Sequence, residues 1–266
     1  MDVFIKRYMD VLERPCKHKL LKRIREVTLN SYLFISGAIV FKPATILIVL
    51  VLFLSGYWFY STITTPQGDG KIRVTNLPWQ ITVLNPQVLH VFDINVGKDT
   101  LGQADKILLS EYELAWFENE DQSINLEAYF LRVSLSGLRA RVVLELDTEG
   151  LDIDYLKKNS GKPEILKSRS IKYPLDDLLH VMSERIIKSL TYIPKSSVDA
   201  EMLKRRFGQA KEVVKADDNT EFWLYPEKGL VIMLNHRGKE AFQYIPTSDF
   251  HRLKKSVMAI HEINKR

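Results

Sequence analysis

One cysteine in 266 residues, Cys16, leaves no intrachain disulfide and no cysteine-rich metal site. Beyond residue 63 the chain has no cysteine and no Asn-x-Ser/Thr sequence, which fits a bacterial periplasmic domain and a cytosolic one alike. No Walker A loop, G-x-G-x-x-G or G-x-S-x-G is present. His90, His180, His236, His251 and His261 form no H-E-x-x-H, and no two of them stand at i,i+4 spacing. Charge of one sign is also scarce in most of the chain. Residues 1–42 hold nine basic and four acidic side chains, which is the whole net +5, and the other 224 residues carry 29 of each sign. A basic arm is therefore present but no basic domain, which disfavours a nucleic-acid partner. Hydrophobic content of 45% and charged content of 27% are those of a globular chain.

What is there begins with an apolar run. Pro43 to Gly68 carries no charged side chain, and Ala44 to Ile63 is long enough for a helix rising about 30 Å, the depth of a bilayer core. Tyr57, Trp58 and Tyr60 stand where an aromatic belt would, and the basic arm ahead predicts an inside N-terminus. No A-x-A-like cleavage pattern follows, so the run reads as an uncleaved signal anchor. The expected location is the bacterial inner membrane, single pass, with the N-terminus cytoplasmic and the C-terminal domain periplasmic. A shorter uncharged run, Val27 to Phe41, reads as an interfacial helix; were it a second span, the domain would face the cytoplasm. Lys19, Lys22, Arg23 and Arg25 are the candidate membrane-surface residues, with the lipid bilayer as their partner, although topology-setting charge is the plainer account of them.

The remainder predicts an α+β architecture: a single transmembrane helix followed by two small units, each a helix plus an antiparallel meander, with accessory helices. The divisions are an arm at 1–42, a span at 43–63, a linker at 64–70, a first unit at 71–150, a connecting helical segment at 151–195, and a second unit with a C-terminal helix at 196–266. Thr100 and Gln103 have capping-box spacing ahead of Leu101, Ala104, Ile107 and Leu108. "YELAWFE", "INLEAYF" and "RVVLELD" then read as strands. "SSVDAEMLKRRFG" opens the second unit as a helix with Ser197 near its cap, and "KEVVKA", "EFWLYP", "GLVIML" and "EAFQYI" follow as strands. Between the units, Pro174 suits a first helical turn, and Leu175, Leu178, Met182, Ile186 and Leu190 make a helical apolar face. A final helix starts near Ser248 with Phe250, Leu253, Val257, Ile260 and Ile263 on one side.

The stretch "LKRRFGQAKEVV…EFWLYPEKGLVIMLNHRGKEAFQY" resembles the BamE/SmpA family of small envelope domains. Leu203, Phe207, Gly208, Trp223, Tyr225, Gly229 and Gly238 occupy the matching positions, while Ala210 stands where that family usually has proline. "VGKDTLGQADKIL" loosely resembles the same family's opening helix. The resemblance implies the helix-plus-meander fold and a habit of binding other envelope proteins.

Carboxylates are the remaining route to chemistry. Asp147, Glu149, Asp152 and Asp154 lie close together but lack the ligand spacing of a calcium loop, and Asp217 and Asp218 read as turn acids. "NHRGKE" reads as a hairpin turn with Gly238 at positive φ. Trp223 and Tyr225 share one face of a strand whose other face carries Phe222 and Leu224. With Trp79 they are the candidate partner-binding residues. The function expected is non-catalytic: a membrane-anchored periplasmic interaction or scaffolding module of the cell envelope, with another envelope protein as partner and no cofactor. The alternative is a cation-dependent enzyme or small-ligand binder using the acidic cluster at 147–154.

Overall fold

The computed structural model describes residues 75–175 and 178–264. The predicted span at 43–63, the run at 27–41 and the basic side chains Lys19, Lys22, Arg23 and Arg25 lie outside the described residues.

Three short strands come first: β1 (Thr82–Asn85), β2 (Val88–Val91) and β3 (Ile94–Val96), paired antiparallel in that order. The β2–β3 turn holds Phe92 and Asp93 at φ 54° and 61°, left-handed geometry that suits the twist of a tight hairpin. An aromatic residue stays there because its ring is buried against Tyr192 and Tyr244, with centroids 5.1 and 5.8 Å away. Helix α1 (Leu101–Leu108) follows. The Gln103 side chain accepts from the Thr100 N–H at 2.8 Å, and Leu101, Ala104 and Leu108 turn inward.

The chain then runs through β4 (Tyr112–Glu118), β5 (Ile124–Leu135), β6 (Leu138–Leu146), α2 (Ile153–Lys158), β7 (Glu164–Ile165), β8 (Ile171–Pro174), α3 (Leu179–Met182) and β9 (Ile187–Pro194). It continues with α4 (Ala200–Phe207), β10 (Glu212–Lys215), β11 (Thr220–Tyr225), β12 (Leu230–Asn235), β13 (Ala241–Tyr244) and α5 (Phe250–Asn264). β4 to β13 form one ten-stranded antiparallel sheet in the order β10-β11-β12-β13-β9-β6-β5-β4-β8-β7. Both of its faces are buried. Leu114, Trp116, Leu144, Leu190, Tyr192, Trp223, Tyr225 and Phe242 join Leu101, Phe92 and Phe207 in one core. Ala115, Phe117, Val143, Ile193, Phe222, Leu224 and Met233 form the other with Phe250, Leu253 and Val257 of α5. A strand wet on neither side reads as an unbroken apolar run, as Leu230–Leu234 of β12 does.

The predicted architecture is thus corrected. The fold is mostly β, and its two meanders are parts of one sheet, not two α+β units. The reason lies in "IIKSLTYIP", expected to continue a helix. Pro174 ends β8, Leu179–Met182 is a short helix, and Ile187–Pro194 is a strand between β6 and β13. Ser189, Thr191 and Ile193 alternate with Leu190 and Tyr192, and all are buried, so packing on both faces outweighs the i,i+4 apolar spacing. The cap of α4 is Asp199, whose carboxylate accepts from the Met202 N–H at 2.6 Å, two residues beyond Ser197. Gly238 is absent from the positive-φ residues, and the turn is made by Asn235, whose side chain accepts from the Arg237 N–H at 2.9 Å.

The location also has to be corrected. No helix among the described residues is long and apolar enough to cross a membrane, so a single-pass inner-membrane protein with a transmembrane helix is not what this structure supports.

Candidate protein-recognition site

Trp223 and Tyr225 do point to the same side of β11, but that side is core. Trp223 pairs across to Val213 and Ile232, and its indole N–H has no hydrogen-bond partner among the described residues. The Tyr225 ring lies on Phe207 of α4, and its hydroxyl donates to the Gly208 carbonyl at 3.1 Å. Burial pushes its pKa up to about 12, because the phenolate would lose its water. Neither residue can offer surface to a partner, since α4 covers one side of β11 and α5 the other.

Two carboxylates of the acidic run have structural roles. Asp147 faces Lys188 at 3.6 Å, Asp152 caps α2 by accepting from the Tyr155 N–H at 3.0 Å, and Asp154 lies in that helix's first turn. The acidic run is read as a metal site less readily than as the start of a helix, which a cap and a first-turn carboxylate both stabilise. No group of three or more His, Cys, Asp or Glu among the described residues could hold a metal ion. Asp217 accepts from the Asn219 N–H at 2.7 Å in the β10–β11 turn. His90 contacts Asn95, which donates in turn to Asp99; His251 contacts the Ser248 carbonyl and His261 that of Lys215. These are turn-holding and helix-docking roles.

Trp79 is different. The turn it sits in is pinned from below, where the buried Tyr244 hydroxyl donates to the Pro78 carbonyl at 2.9 Å. Its indole is half-buried, edge-on to Phe207 with centroids 6.5 Å apart. Over the ring lies the Arg206 guanidinium, 4.5 Å from the centroid. Three residues on, the chain enters β1, where Thr82, Val83, Leu84 and Asn85 are all exposed, Leu84 at 56%. β2 holds one edge of this strand, with a bulge between Val83 and Asn85. The other edge has no partner strand among the described residues. From Val74 to Phe92 there is no Asp, Glu, Lys or Arg, so the strand brings no charge of its own to that edge. Sequence reasoning passed over this edge as a binding element because it ranked aromatic side chains and not backbone availability. The charge-free stretch with Pro78 and Pro86 on either side of the strand was the usable signal.

Comparison with protein-family models, curated proteins and solved structures found no match, so the family resemblance rests on the quoted residues alone.

Proposed function

We propose that this chain is a non-catalytic protein-recognition module whose binding element is residues 79–85. One observation carries the reading: a strand of the fold is exposed at every position and, among the described residues, paired along only one edge. A strand that buries no side chain adds little to its own fold, whereas its open N–H and C=O groups are a template for a strand from elsewhere. Within the acidic run Asp147 is taken up in an ion pair and Asp152 in a helix cap, which favours recognition over acid–base chemistry.

The test is site-specific photocrosslinking. A benzophenone amino acid at Leu84 should give a discrete adduct that excess purified protein competes away and the Val83→Lys, Leu84→Lys double variant does not. The same probe at the exposed Val181 serves as control. Equal labelling from both positions, or competition by the double variant, would sink the proposal.

A further inference from the structure

We infer, on the footing of that reading, that the partner presents an extended, uncharged strand flanked by a carboxylate, which Arg206 receives while β1 pairs the strand. Arg206 is exposed, and its guanidinium carbon lies over the Trp79 ring, 4.5 Å from the centroid, so the cation is placed beside the start of β1. The acids beside it are committed elsewhere. Glu201 pairs with Lys204 at 3.0 Å, Glu227 with Lys211 at 3.7 Å, and Asp199 caps α4. Among the described residues Arg206 has no acidic partner, so a pre-positioned cation stands unpaired beside a neutral strand. Trp79 and Thr82 are three residues apart, at most about 10 Å, which spans roughly three residues of an added strand. A carboxylate that far beyond the paired segment therefore reaches the fork. Charge complementarity also decides against a second copy of this chain. Antiparallel pairing of β1 with itself would bring up only residues of the Val74–Phe92 stretch, which contains no acid.

The experiment uses the full chain and fluorescent, end-capped peptides of alternating Thr and Val that carry a terminal Glu or Gln, each made in both orientations. At low salt one Glu peptide should bind about tenfold more tightly than its Gln twin, the scale of one charge-assisted hydrogen bond. Arg206→Gln and Arg206→Lys should both abolish that preference, the lysine because a point charge does not reproduce the fork, while Arg205→Gln should leave it intact. Equal binding of Glu and Gln peptides, blocked by backbone N-methylation, would overturn the carboxylate assignment and leave strand pairing standing. No binding by any peptide to folded protein would overturn the recognition reading as well. Self-association in sedimentation, lost in the Val83→Lys, Leu84→Lys variant, would assign the edge to a second copy instead.

Discussion

Single residues in this fold are constrained most where backbone meets backbone. Gly229 lies at φ +57°, and a Cβ there would stand 2.1 Å from the Ile245 carbonyl oxygen, inside the β12 turn that the Ile245 N–H clamps through Gly229's own carbonyl at 2.9 Å. Gly229→Ala should therefore lose about 2–4 kcal/mol in urea unfolding, strain and collision together. The reverse holds at Leu109, 85% exposed and left-handed at φ 48° after α1. Glycine suits that cap without strain, so Leu109→Gly should gain about 1 kcal/mol; a loss would mean that the exposed leucine makes a contact worth more than its backbone strain. The buried phenols supply a third expectation. Burial holds the pKa values of Tyr192 and Tyr225 up at about 12, against 10.0 for a free phenol. Unfolded chain sheds these protons first, so their contribution is whole below pH 10 and is lost as pH climbs from 10 to 12. The urea midpoint should fall across that window, less steeply in Tyr225→Phe, and a flat midpoint would refute the assignment.

At the level of elements, legibility followed turn chemistry. The β5–β6 hairpin closes on Ser136 and Gly137, both at positive φ (49° and 79°), and the small, turn-forming pair in "SLSG" announces it. β11 was readable down to its faces, since Phe222 and Leu224 do separate from Trp223 and Tyr225. What a strand's own sequence cannot hold is which neighbour covers each face. Two aromatic side chains on one side imply a large surface, and only the placement of α4 decides that it is interior. Apart from their caps, the helices among the described residues say little, being mostly short; α5, with 15 residues, is the exception and does the covering on the far face. Deleting residues 250–264 would bare Phe222, Leu224 and Met233 together, and the truncated chain should bind a hydrophobic dye and aggregate. A truncated chain that stayed monomeric and dye-negative would show that α5 is dispensable to this core.

For the whole molecule, β9 is decisive. It bonds β6 on one side and β13 on the other, so the N-terminal and C-terminal meanders share one sheet. Reading them as two units was natural because each meander is local in sequence, whereas the strand joining them has an ambiguous pattern. Calorimetry separates the two descriptions. A shared sheet predicts one unfolding transition for the described body with calorimetric and van't Hoff enthalpies equal; two resolved transitions would restore independent units.

The open edge of β1 also bears on how much of this protein a cell can carry. A neutral, open-edged strand meets its own copies more often as concentration rises, and each such meeting is a nucleus for insoluble material. The chain is consequently suited to low abundance, or to synthesis in step with whatever occupies the edge. Produced alone in excess it should come down as inclusion material, and supplying the occupant in equal amount should return it to the supernatant.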